Sequence, residues 1–435
     1  MKRLLVGLCT LLMLFVFSIP ALAVDVNLNI NGKDFQPITI PQLQEGTTMV
    51  PLYLIERISG ADISVSEESI TIYKGTDTLV LTLNDTQASL NGDLINLPQA
   101  PAEVSNEIIV PIRAVMESFG ATIDWVQETK TVLVDFQEKR AQMSPEDLLL
   151  KSNEASLAFN TYKARGDLQQ TMQMINPETG EPESIDIQMV MDMAMQNEPI
   201  LLHVKSDMTA SSLQLPEEEN MATEVLINEE GMYTTMPDQG WVKLEIPGMD
   251  IKALLEESSQ DPLSSLEQLT EAGVLLSFSN DQEIDGHSYW VLNVTVGLDG
   301  FQQILDEVMQ NIPLPEEIDE NATDQLSQVF QELFSNMQAD IYYRIWVDQD
   351  TYFPKYMDLY TTMDIKTEIP APSSEEDPVL LDISLQQSGT FEYYDLDEPI
   401  SVPDVSDAKS LEDIYESESS IDPKTEQAPV AAEDE

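Results

Sequence analysis

Between Leu168 and Tyr394 apolar and polar residues alternate over long runs, the period of strands packed on one face. Thr171 to Ile175, Ile185 to Met195, Leu201 to Leu213, Ala222 to Ile227, Gly231 to Met236 and Trp241 to Ile246 read as consecutive antiparallel strands. Turns rich in Pro, Gly, Asn and Glu join them. His287 to Val296, Ile341 to Asp348, Lys355 to Lys366 and Leu380 to Tyr394 continue the series. Helical spacing interrupts it at Asp250 to Glu257, Pro262 to Ala272, Phe301 to Met309 and Thr323 to Met337. This order predicts one large, strongly curved antiparallel sheet, a half-barrel, with helices covering its concave face. Ahead of it Ser144-Pro145-Glu146-Asp147 offers a cap, a first-turn proline and acids at the positive helix end. Leu148, Leu149, Leu157 and Tyr162 carry that helix toward Gly166.

Upstream, the pattern repeats itself. Val50-Pro51-Leu52 returns as Val110-Pro111-Ile112, Asn31-Gly32 as Asn91-Gly92, and Gly60-Ala61 as Gly120-Ala121, all at one spacing of 60 residues. Three landmarks at a fixed offset mark an internal duplication. In each copy Asn-Gly predicts a tight hairpin turn, because both central residues of that turn need positive φ. The Val-Pro segment then leads into a short amphipathic helix closed by glycine, and alternating strands follow. A unit this small buries little surface alone, so the two copies should pack together or pair through strands. The expected fold class is α+β: duplicated small β-rich units with short helices, then the large half-barrel.

Residues 1–23 have the form of a secretory signal: Met1-Lys2-Arg3, an apolar run from Leu4 to Ile19, and Ala21-Leu22-Ala23 as the cleavage site. The expected divisions are 24–83 and 84–137 for the two repeats, 138–398 for the half-barrel domain, and 399–435 for an acidic, largely disordered tail. Cys9, the only cysteine, lies inside the signal, so the mature chain has neither disulfide nor thiol nucleophile. A net charge of -59 repels phosphate backbones and anionic headgroups, which argues against nucleic-acid partners. Hydrophobic residues at 42% leave enough apolar side chain for real cores. No later stretch is long or apolar enough for an integral membrane segment once the signal is removed.

Catalytic vocabulary is sparse. The two histidines, His203 and His287, have no ligand spacing between them and suit structural or surface positions better than a metal site. Asp348-Gln349-Asp350 lacks the following acids of a calcium loop and suits a strand turn. Phosphate loops, dinucleotide fingerprints and metalloprotease helices are missing. No catalytic residue, cofactor or metal site is therefore assigned. The methionines stand out instead. Met189, Met191, Met193 and Met195 fall on one face of a strand, and Met172 and Met174 add two more on a neighbouring strand. Three roles compete for that face: sheet-to-helix core, an adaptable lining for a lipid-like ligand, and a soft-metal site. Tyr342, Tyr343, Trp346, Tyr352, Phe353, Tyr356 and Tyr360 finish the second core or rim its cavity.

The duplicated units resemble the copper amine oxidase N-terminal-like, or stalk, domain. The residues that carry the likeness are Asn31-Gly32 with Val50-Pro51-Leu52 through Gly60-Ala61, then Asn91-Gly92 with Ile109-Val110-Pro111-Ile112-Arg113-Ala114 through Phe119-Gly120-Ala121 and Trp125. The first copy departs by placing Tyr53 after Leu52 and by lacking the tryptophan. The resemblance implies an accessory module for surface display or wall association, without oxidase chemistry: two histidines cannot make a three-histidine copper site. The later domain resembles the lipoprotein-carrier-like half-barrel group, LolA-like and LppX-like envelope proteins. The residues are Asp285-Gly286-His287-Ser288-Tyr289-Trp290-Val291-Leu292, Ile345-Trp346-Val347-Asp348, Phe353-Pro354-Lys355-Tyr356 and Phe391-Glu392-Tyr393-Tyr394. Such proteins hold acyl chains, which implies an acyl or other hydrophobic ligand, or a cell-wall or surface partner. The function expected is that of an exported, extracellular or cell-wall-associated, non-enzymatic protein. Its alternatives are a purely structural or adhesive surface protein and an extracellular hydrolase.

Overall fold

The computed structural model describes residues 26–175, 181–212, 219–237, 239–244, 273–298, 300–303, 337–369, 379–410 and 414. The expected signal at 1–23, the helices at 250–257 and 262–272, residues 323–336 of the last expected helix, and the end of the tail lie outside the described residues. The chain divides into two compact units: Met1–Asp34, Thr39–Glu56 and Ile63–Phe136 form the first, and Phe35–Ile38, Arg57–Asp62 and Gln137–Glu435 the second.

The duplicated region runs β1 (Asn27–Ile30), β2 (Lys33–Phe35), β3 (Gln42–Gln44), β4 (Thr47–Pro51), α1 (Leu52–Ser59), β5 (Asp62–Val65), β6 (Ser69–Lys74) and β7 (Asp77–Thr82). It continues with β8 (Gln87–Leu90), β9 (Asp93–Asn96), β10 (Ala102–Val104), β11 (Glu107–Pro111), α2 (Ile112–Glu117), β12 (Thr122–Val126) and β13 (Thr131–Asp135). Asn31 and Gly32 sit at φ 52 and 86, and Asn91 and Gly92 at φ 54 and 90. Each pair makes the tight turn its sequence demands. The two copies do pair through strands. β4 lies antiparallel to β11 with Val50 opposite Val110, so the repeated Val-Pro segments face one another across a local two-fold relation. β1 of the first copy runs parallel to β13 of the second, Leu28 opposite Val132. Met49, Val50, Leu54, Val110, Val115 and Met116 are fully buried, which is how two small copies come to share one core.

The second unit opens with α3 (Pro145–Ala158), whose Ser144 side chain accepts from the Asp147 amide while the Asp147 carboxylate accepts from the Ser144 amide. The helix stops at Ala158 and does not reach Gly166. Tyr162, Ala164 and Gly166 belong instead to β14 (Thr161–Ile175), where Ala164, Gly166 and Leu168 are buried alternately with exposed Arg165, Asp167 and Gln169. Strand periodicity overrides helix propensity there.

The remaining strands are β15 (Pro182–Gln196), β16 (Leu201–Ser212), β17 (Glu219–Asn228), β18 (Gly231–Met236), β19 (Gly240–Leu244), β20 (Leu275–Phe278), β21 (Gln282–Ile284), β22 (His287–Val296), β23 (Met337–Asp348), β24 (Pro354–Ile369), β25 (Val379–Tyr394) and β26 (Lys409–Ser410). They form one 13-stranded sheet in the order β20-β22-β23-β24-β25-β14-β15-β16-β17-β18-β19-β26, with β21 beside β22.

The expected half-barrel is overturned. The large sheet is open and flat, and curvature falls to the small four-stranded sheet of β12, β13, β1 and β2. Closing a sheet into a barrel takes bulges or glycine kinks that bend its strands. Here β14 and β15 pair residue for residue from Thr161↔Gln196 to Ile175↔Pro182, and β24 and β25 from Tyr356↔Glu392 to Ile369↔Val379. Between β22 and β25 the pairing slips only between Trp346 and Val347. Sheets beyond roughly ten strands curl, split or flatten, and this one flattens. Among the described residues α3 packs on it at the β20 and β22 end, and 301–303 are helical. Residues 400–410 of the expected tail are ordered: Ile400, Val405 and Ala408 pack on Leu201, Leu226 and Tyr233, and β26 adds to β19 in parallel.

Candidate functional site

One face of the large sheet carries an apolar strip from β22 to β17, because register carries the alternation of each strand onto the next, with Gln170, Gln387 and Thr361 as a polar row across it. Trp290, Leu292 and Val294 continue into Val347, Ile345 and Tyr343 of β23, then into Met357 and Leu359 of β24. Phe391, Leu385 and Ile383 of β25 lead on to Gly166, Met172 and Met174 of β14. The strip then crosses Ile185, Met189 and Met193 of β15, Met208 and Val204 of β16, and Met221 and Val225 of β17.

Its two halves differ in cover. At the β20–β23 end, Leu276, Phe278, Trp290, Leu292 and Val294 join Leu148 and Leu149 of α3 and Phe301 in one core, with Leu292 and Val294 wholly buried. From β14 to β16 the positions are mostly half-buried, and Met221 on β17 is 43% exposed.

All six methionines singled out from sequence lie on this face and are half-buried. Met189, Met191, Met193 and Met195 stand opposite Leu168, Gly166, Ala164 and Tyr162. Met172 and Met174 share the face but stand opposite Ile185 and Glu183, about 14 and 20 Å along the strand from the Met189 level. Register also supplies two methionines missed from sequence: Met189, Met208 and Met221 stand in one row across three strands. The alternation Lys205, Asp207 against Val204, Met208 was the signal for them, but their alignment with Met189 required the pairing.

Three phenols on this face report its apolar character. Burial pushes Tyr162 and Tyr343 up, and Tyr393 up to about 12, burial being the main cause and Tyr162 nearby the second. Phe159, Tyr162, Phe353 and Tyr393 form an aromatic cluster with ring centroids 5.3 to 6.4 Å apart. Of the aromatic group expected to finish the second core, Tyr342, Trp346 and Phe353 are buried, whereas Tyr360 is 44% exposed.

The polar candidates take structural places. His203 is buried, with Nε2 3.0 Å from Glu224 Oε2, and His287 is exposed, 3.9 Å from Asp348. Asp348 Oδ1 accepts from the amides of Asp350 and Thr351 and from the Thr351 hydroxyl, which fixes a turn. Among the described residues no group of three or more His, Cys, Asp or Glu is placed to hold a metal ion. Among them, no helix is long and apolar enough to cross a membrane.

Comparisons with known proteins follow the two units. Residues 144–409 match the model of DUF6612, described as a family of unknown function, and the chain belongs to that family. Residues 29–134 match the copper amine oxidase N-terminal domain, as the duplicated motifs imply. No curated protein sequence matches the chain. Among solved structures, similarity is distant. Lipoprotein LppX of Mycobacterium tuberculosis is 12% identical, with 60% of this chain and 98% of that one covered and a TM-score of 0.30. A structure described as lipid-protein interactions in lipovitellin is 8% identical, with 56% of this chain and 26% of that one covered and a TM-score of 0.23. A DUF1329 family protein from Desulfovibrio piger is 8% identical, with 60% and 94% covered and a TM-score of 0.18.

Proposed function

We infer that this chain is an exported, non-enzymatic envelope protein whose large sheet holds an acyl-type ligand on its methionine-rich face, while the duplicated unit serves for surface display. The observation that supports this is the change along one mainly apolar face, from fully buried Leu292 and Val294 to half-buried Met189, Met191, Met193 and Met208. Methionine is unbranched and polarizable, so a row of it conforms to chains of differing length and unsaturation. A core residue chosen only for packing would more often be branched, as at the other end of the same face. The signal-like residues 1–23 support export, and the similarity to the copper amine oxidase N-terminal domain supports display.

Native mass spectrometry of the full-length protein after gentle purification, followed by organic extraction, tests this. An acyl species released from wild type and lost from the Met189→Gln/Met191→Gln/Met193→Gln variant is expected. Wild-type protein that carries no acyl species and takes up no fluorescent fatty acid would leave the face as filled core and the protein as a structural one.

A further inference from the structure

The opposite face of the large sheet carries a second site, which does not depend on the apolar face. A concavity of about 350 Å³ opens on the polar side over four adjacent strands, β14, β25, β24 and β23, with Gln282 and Ile284 of β21 at its rim. That volume lies at the lower end of the range ligand sites occupy, about 300–1,000 Å³.

Register arranges its floor in two rows. In the first, Arg165 stands opposite Glu392, Glu392 opposite Tyr356, and Tyr356 opposite Trp346. In the second, Asp167 stands opposite Thr390, Thr390 opposite Asp358, and Asp358 opposite Arg344. The charges of the first row are paired within the protein: Arg165 Nη1 is 3.1 Å from Asp192, and Lys355 Nζ 2.9 Å from Glu392. The rings are held by their neighbours on the same face, and Lys355 Nζ lies 5.5 Å from the centre of the Tyr356 ring. Trp346 Nε1 donates to Gln282 Oε1 at 3.0 Å, and Tyr289 meets Tyr356 edge-on at 5.7 Å. Burial holds the Asp358 carboxyl above its usual range despite Arg344 nearby, so a donor brought by a ligand would find an acceptor short of solvation.

We propose that this groove binds a neutral saccharide, the sugar's C–H face lying on Tyr356 and its hydroxyls bridging Asp167, Asp358, Thr390 and Arg165. A sugar hydroxyl both donates and accepts, and the groove offers both partners within a few ångströms: carboxylates to accept, guanidinium and hydroxyl to donate. Anionic polymers meet Asp167 and Asp358, and a simple cation meets Arg165. A rigid sheet surface carries the site, so little ordering is needed on binding.

The test is a calorimetric titration of the full-length protein with neutral N-acetylglucosamine tetramer, with trigalacturonate as the anionic comparator. Saturable binding of the neutral sugar is expected, weakened about tenfold or more by Tyr356→Ala and by Asp358→Asn, and kept by Tyr356→Phe, which preserves the ring. Gln386→Ala, on the same face outside the groove, should bind as wild type. Each variant's melting curve separates lost binding from lost fold, and Tyr356→Phe supplies a folded comparator if Tyr356→Ala unfolds. No saturable binding to the neutral tetramer, binding indifferent to both Tyr356→Ala and Asp358→Asn, or tighter binding of trigalacturonate would each overturn the proposal.

Discussion

The two halves of the apolar face on the large sheet are made of the same alternation and differ in what fills it. Near β22 the positions are Trp290, Leu292, Val294 and Val296, all buried in a core that α3 helps to close. From β14 to β17 methionine recurs eight times among them, and most positions are half-buried. Branched and aromatic side chains hold one rotamer and fit one partner, whereas methionine adapts its shape to what meets it. The difference teaches that burial and residue choice change together along one surface, so the face is closed core at one end and half-buried, methionine-bearing sheet at the other.

The largest expected effect breaks the fixed end. Leu292→Ala removes a wholly buried side chain and should cost about 2–5 kcal/mol, whereas Met191→Ala on the half-buried end should cost clearly less. Urea melts of both variants check this; equal losses would mean that the halves are packed alike. Next comes the boundary between them. Gly166 stands opposite Phe391 and Leu168 opposite Gly389, so each glycine makes room for a large side chain on the adjoining strand. A Cβ at Gly166 would lie 2.5 Å from Phe391 Cε1. Gly166→Ala should therefore cost about 1–3 kcal/mol, and Gly166→Ala with Phe391→Leu should recover part of it in the same melts.

The smallest effect concerns the reverse side of the half-buried half. Burial alone would raise the Glu224 carboxyl, but hydrogen bonds from His203 and Lys205 outweigh it and hold the group below the usual glutamate range. A carboxyl with a lowered folded pKa contributes stability above its unfolded value, about 4.3, and loses it as pH falls through the folded one. Melting temperature should thus fall more steeply below about pH 4 for wild type than for Glu224→Gln. Identical acid limbs would remove this pair from the account of the far half.

Local chemistry was legible in the chain, and distance was not. Asn31-Gly32, Asn91-Gly92 and the capping Ser144 each act within a few residues, and each turn and cap formed as its sequence required. His287 to Val296 is a strand from end to end as its alternation predicts. The helix expected to Gly166 ended at Ala158: Tyr162 and Gly166, four residues apart, fit helical and strand spacing alike, and Ala164 between them fits only the strand. Curvature was misjudged for a different reason: it depends on bulges and register across strands, which no single segment displays. The methionine face could be seen because alternation is local. The saccharide groove could not, since Arg165, Trp346, Tyr356 and Glu392 come from four strands, and Arg165 lies more than 180 residues before the other three.

The parallel pairing of β1 with β13 has a mechanical consequence for the duplicated unit. Residues 27–30 and 131–134 run in the same direction side by side, so a pull between the start of β1 and the end of β13 slides one strand along the other. All their hydrogen bonds then share the load at once, as in a seam pulled along its length, where peeling would open them one by one. A duplication closed in this way resists extension as a single clasp.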